Sequence, residues 1–111
     1  MSSLESKTCF PCNSDATVAS AAEIDEWLSE LLDWRLQSVA DVQRLTRSFK
    51  FKTFQQALDF TNKVGKIAEE EQHHPELITA WGNVTVSWWT HAIGGLHQND
   101  FIMAAKTDRL F

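Results

Sequence analysis

The sequence predicts an α+β fold with elements in the order helix, strand, strand, helix, strand, strand, helix. Three observations predict it. Two stretches, Ser20-Ala21-Ala22-Glu23 and Thr53-Phe54-Gln55-Gln56, carry the Ser/Thr-x-x-Glu/Gln capping box, and each opens a run with helical apolar spacing. The segments between and after these runs alternate with period two. Short turn-forming stretches join the alternating segments, which makes consecutive strands antiparallel neighbours and excludes long parallel crossovers.

Residues 1–19 show neither period and contain the turn formers Pro11, Asn13, Ser14 and Asp15. They read as a partly ordered leader before a domain spanning 20–111. Ile24, Trp27, Leu28 and Leu31 recur at i, i+3, i+4, i+7 and predict a first helix to about Leu32. Trp34, Leu36 and Ser38 alternate with Arg35 and Gln37 as a first strand, with Val39-Ala40-Asp41 as the turn. Leu45, Arg47, Phe49 and Phe51 alternate with Thr46, Ser48 and Lys50 as a second, paired to the first as a hairpin. In the next helix Ala57, Thr61, Val64 and Ala68 share a face widened by Leu58, Phe60 and Ile67. Gly65 weakens that helix by about 1 kcal/mol relative to Ala and suggests close packing on the sheet. Pro75 forces the helix to stop before it, because proline drives His74 out of the α region. Leu77–Trp81 and Val84–Trp89 read as two strands around a Gly82-Asn83 hairpin loop. Gly94-Gly95 breaks the chain, and a last helix with Phe101, Ile102, Ala105 and Leu110 begins near Asn99.

Composition narrows the function classes. The 111 residues carry a net charge of −5, with 43% hydrophobic and 23% charged residues, an ordinary balance for a soluble globular domain. An acidic domain is a poor binder of nucleic-acid phosphates, which require clustered Lys and Arg. No apolar run approaches the ~18 residues of a membrane span, and Met1–Lys7 lacks the apolar core of a signal peptide. The expected compartment is the cytoplasm. Cys9 and Cys12 form a lone C-x-x-C in the leader, with no second pair to complete a zinc site and no strand before them for a redox motif. A domain this short buries only about two thirds of its unfolded surface, so an oligomer interface would add to its stability.

The chemistry concentrates in Glu69-Glu70-Glu71-Gln72-His73-His74-Pro75. Glu69 and His73 are i, i+4 at a helix end, which predicts a carboxylate beside an imidazole, an arrangement suited to acid–base work near neutral pH. Pro75 extends the backbone, so His73 and His74 are splayed rather than stacked on one helical face. The plain alternative is a solvated helix end whose His caps carbonyls. His91 lies where a strand leads into a Gly-containing loop, a common place for site residues and also for an ordinary surface His. A zinc site of His73, His74 and His91 stays open at this level. His97 reads as surface or helix start.

Together these residues resemble the pterin-4a-carbinolamine dehydratase family. The similarity lies in Glu69-x-x-x-His73-His74-Pro75, Trp81, Thr90-His91, Gly95-Leu96 and Asp100, and covers residues 20 to 108. The run Gly82–His91 and the Cys9/Cys12 leader are similar to bacterial members that accompany phenylalanine hydroxylase. The resemblance implies a four-stranded antiparallel sheet with three helices packed on one face. It implies dehydration of 4a-hydroxytetrahydropterin to quinonoid dihydropterin, with neither metal nor organic cofactor. His73, His74 and His91 match the family's catalytic histidines, with Glu69 and His73 as the expected acid pair. Glu69, Pro75, Trp89, Thr90 and Asp100 match substrate-binding positions. A homodimer or homotetramer and a phenylalanine hydroxylase partner are implied, with no direct nucleic-acid contact. Gln72, Ala92 and His97 depart from residues frequent in the family, and no departure removes a catalytic His. The competing reading is a protein-binding module that acts as a dimerisation cofactor or regulator, for which the three His would be unnecessary.

Overall fold

A computed structural model of the chain describes Leu4 and residues 18–111, so Cys9, Cys12 and most of the expected leader lie outside the described residues. The element order is α1 (Ala21–Leu28), β1 (Arg35–Val39), β2 (Val42–Lys50), α2 (Phe54–Glu71), β3 (Glu76–Ala80), β4 (Asn83–Trp88), a 3₁₀ turn (His91–Ile93) and α3 (Gln98–Leu110). The strands form one antiparallel sheet in the order β1-β2-β4-β3.

Local chemistry sets the boundaries. Ser20 and Glu23 close a reciprocal capping box on α1. At α2, Thr53 Oγ1 accepts from the Gln56 amide, but the Gln56 side chain accepts from the Lys52 amide rather than from Thr53. The first helix ends at Leu28, short of the expected Leu32. Leu31 kept the helical spacing in sequence because it is buried, yet it reaches the core from a turn, where its carbonyl accepts from the Trp34 amide. Trp34 therefore precedes β1 instead of opening it, and Phe51 and Trp89 fall just past their strands. The first hairpin turns on Ala40-Asp41, both with positive φ, a conformation that matches the right-handed twist of the paired strands. The second turns on Trp81-Gly82, one residue earlier than expected. Gly82 has φ +69°, and a Cβ there would come within 3.0 Å of the Phe51 carbonyl oxygen.

Period two divides the sheet. Leu45, Phe49, Val84, Val86 and Trp88 form one face and are buried against the helices. Ala57, Phe60, Val64 and Ala68 line the core side of α2, and Phe101 to Ala105 of α3 are buried throughout. Trp27 of α1 is only partly buried and rests on Phe101, with ring centroids 5.3 Å apart. The opposite face is polar and zipped by hydroxyls: Thr46 to Ser87 and Ser48 to Thr85, each pair 3.0 Å apart. Gly65 serves no close approach, since a Cβ there would meet nothing within 4 Å. No described helix is long and apolar enough to cross a membrane.

Candidate functional site

The site begins at the end of α2. Gln72 takes the left-handed conformation at the C-cap, with φ 53° and ψ 39°. That single residue swings the chain off the helix axis before His73. His73 turns inward and is 4% exposed, while the His74 side chain stays 53% exposed. The expected splaying of the two imidazoles is therefore present. The expected partner of His73 is not. Glu69 lies 2.5 Å from His74 Nε2, at i+5 rather than i+4, because the left-handed residue breaks the helical period. His73 instead places Nε2 2.6 Å from Oδ1 of Asp100.

Asp100 is fully buried in the first turn of α3 and has each oxygen engaged. Its Oδ2 accepts from the Thr90 hydroxyl and from the His97 amide, both at 2.9 Å. A buried carboxylate survives only when its lone pairs are answered in this way. The first turn of a helix adds favourable N–H dipoles. On its other side His73 stacks on Trp88, with ring centroids 5.8 Å apart and planes within 7°. Trp88 is itself pinned by a 3.2 Å bond from its Nε1 to Thr107 Oγ1. His73 is thus fixed in plane and in direction by residues from β4 and α3.

His91 opens the 3₁₀ turn, where an isolated bridge between Thr90 and Gly95 and a left-handed Gly94 fold the chain back. Its exposed ring packs 4.5 Å from Trp89, and its Nε2 is 3.3 Å from the His74 carbonyl oxygen. Half-buried Pro75 completes the link from His74 to β3. The structure so brings His73, His74, His91, Glu69, Pro75, Trp89, Thr90 and Asp100 to one end of the sheet. It divides the imidazoles into one buried and two accessible. Among the described residues, no three His, Cys, Asp or Glu side chains converge to hold a metal ion.

Sequence reasoning placed His97 at a helix start but not its role, and it missed Arg44. His97 is the N-cap of α3, its Nδ1 accepting from the Asn99 amide, so it acts in the cap that seats Asp100. Arg44 stacks on Trp89, with the guanidinium carbon 3.9 Å from the ring centroid. The H-x-x-D spacing from His97 to Asp100 resembles a capping pattern and could have been read; a lone Arg in an alternating strand offered no local signal.

The description Pterin 4 alpha carbinolamine dehydratase matches residues 17–110. A protein of Chlorobaculum tepidum, provisionally named pterin-4-alpha-carbinolamine dehydratase, is 54% identical over 110 residues, 99% of each chain. A Syntrophotalea carbinolica protein with the same name is 53% identical, over 99% of this chain and 98% of its own. Among solved structures, a transcriptional coactivator/pterin dehydratase from Brucella melitensis superposes with a TM-score of 0.75 at 35% identity, covering 85% of this chain and 98% of that one. A pterin dehydratase-like protein identified as a RuBisCO assembly factor shares the fold, with a TM-score of 0.59 at 23% identity over 70% of this chain and 88% of its own.

Proposed function

The chain belongs to the pterin-4a-carbinolamine dehydratase family of hydro-lyases, and from that premise we propose that it dehydrates 4a-hydroxytetrahydropterin to quinonoid dihydropterin by histidine acid–base catalysis. The elimination breaks the C4a–O and N5–H bonds and forms the N5=C4a double bond. The hydroxyl leaves as water after gaining one proton, and a base removes the proton from N5. No electrons are exchanged, so the step calls for no redox group.

The observation that carries this reading is the accessible pair His74 and His91 with a carboxylate, Glu69, behind one of them. His74, backed by Glu69, protonates the leaving hydroxyl. His91 faces N5 and takes its proton. His73, held by Asp100, serves the opposite face of the ring from within the protein. Pro75, Trp89 and Thr90 frame the pterin. Positioned imidazoles of this kind contribute about 10²–10⁴-fold each. The physiological task would be to regenerate the pterin for an aromatic amino-acid hydroxylase in the cytoplasm. Self-association as a dimer or tetramer fits the exposed edges of the sheet, where all of β1 is exposed.

The test is pterin dehydration coupled to a hydroxylase, with wild type, His73→Ala and His91→Ala, each of confirmed fold by circular dichroism. Wild type accelerates loss of the carbinolamine, and each variant loses on the order of 10²-fold or more. Unchanged turnover in both variants removes the proposal. A second reading, a protein-binding module, draws on the coactivator half of the Brucella protein's name and on the exposure of Ile78 (55%) and Trp81 (76%) at one sheet edge. Binding of that kind would persist in both His variants.

A further inference from the structure

Arg44 lies on β2, on the hydroxyl-lined face of the sheet, and touches both chain segments that deliver the accessible imidazoles. Its Nη1 is 3.3 Å from Oε1 of Glu76, which follows His74-Pro75 directly and begins β3. Its guanidinium carbon lies 3.9 Å from the ring centroid of Trp89, which precedes Thr90-His91. Trp89 in turn packs against His91, with centroids 4.5 Å apart. Guanidinium and imidazole thus both pack against the Trp89 indole, the imidazole tilted by 39°, and an ion pair anchors the arginine to β3.

Two further facts set this arginine apart from an ordinary surface cation. Its side chain is only 16% exposed. Its Nε is buried with no hydrogen-bond partner among the described residues. A buried donor left unpaired carries a desolvation cost, so the guanidinium is not placed to satisfy Nε. Its placement satisfies the stack and the Glu76 contact instead. The planar fork can do both at once, which an ammonium cannot.

We propose that Arg44 is a positioning residue, which ties Glu76 to Trp89 and thereby holds the His91 ring against the His74 backbone. Its effect on turnover rests on the dehydratase reading given above; its effect on the His91 ring does not. Exposed ion pairs are often without consequence, and a structural role alone would move stability and little else.

The experiment compares Arg44→Ala, Arg44→Lys, Trp89→Leu and the Arg44→Ala/Trp89→Leu double variant. The imidazole resonances of each His are followed by NMR, and kcat and KM are measured for pterin dehydration. Arg44→Ala shifts or broadens the His91 resonances and leaves those of His73 in place. It lowers kcat roughly tenfold through misplacement of the imidazole, and KM changes by less than about twofold. Arg44→Lys recovers part of the rate. The double variant is no slower than Trp89→Leu alone, because both changes remove the same Arg44–Trp89 contact. Unchanged His91 resonances in Arg44→Ala overturn the proposal. So do equal shifts at His73 and His91, or losses that add in the double variant. Should wild type show no dehydration, the functional reading fails, and the resonances alone decide whether Arg44 places His91.

Discussion

Asp100 does more at the level of single residues than its position in the chain announces. One oxygen faces His73 and the other accepts two N–H or O–H donors, from His97 and Thr90. Asparagine has only one acceptor oxygen. In Asp100→Asn that oxygen stays with the two donors, and the amide nitrogen then donates to His73 Nε2. That forces the His73 proton onto Nδ1, the other tautomer. Dehydration should fall on the order of 10²-fold or more, by the logic that makes a triad carboxylate set its imidazole's tautomer. Circular dichroism should stay native, because every bond still has a donor and an acceptor. Turnover within threefold of wild type, a factor of roughly 3, would show that Asp100 does not govern His73. The sequence singled out the three His, and the family resemblance pointed to Asp100 and Thr90; the fold brings all five to one end of the sheet. The partnership between His73 and Asp100 was not legible in the sequence, since 27 residues separate them. Glu69, four residues away, offered a local partner that the left-handed Gln72 redirects to His74.

Secondary elements were largely readable because caps and periods are local chemistry. The capping Ser20 and Thr53 and the alternation in β2 and β4 did in the folded chain what their types dictate, and α2 stops before Pro75 as expected. Boundaries failed where burial imitated periodicity, as with Leu31, which is in the core without being in α1. Gly65 failed for the opposite reason: a glycine in a helix suggests a close contact, and none exists. Its helix is therefore weaker than it needs to be. Gly65→Ala should raise stability by about 0.5–1 kcal/mol, from better helix propensity and a less flexible unfolded chain. Chemical denaturation would measure this as a higher midpoint at unchanged slope. A lower midpoint would show that the open space beside Gly65 is needed.

Across the whole molecule, the helix and sheet layers are also tied by a polar knot distinct from the candidate site. Asp108 of α3 accepts from Arg47 of β2 at 2.7 Å and from Trp34 Nε1 at 2.9 Å. Burial raises the Asp108 carboxyl above its ordinary value near 3.8. The Trp34 bond and the Arg47 charge oppose that shift without cancelling it, and Asp33 adds to it. A raised folded-state value means the folded chain holds this proton more tightly than the unfolded one. The contribution is complete below pH 3.8 and declines as pH rises through the folded value. The stability of wild type relative to Asp108→Asn should thus fall across that window, as read by thermal unfolding at several pH values. A difference that grows with pH would contradict it. The layout of the sheet and helices was open to sequence reasoning, but this knot was not, because its bonds to Asp108 span 61 and 74 residues of chain. The left-handed Gln72 has a consequence at the same scale. Two neighbouring imidazoles receive opposite surroundings according to where α2 stops, so the length of that helix is itself a specification of the site. One residue gained or lost within it would rotate everything beyond by about 100°. Hydropathy would barely register the change, yet His73 would lose its carboxylate and His74 its access to water. Among descendants of this chain, insertions should therefore accumulate in the hairpin tips and be purged from α2.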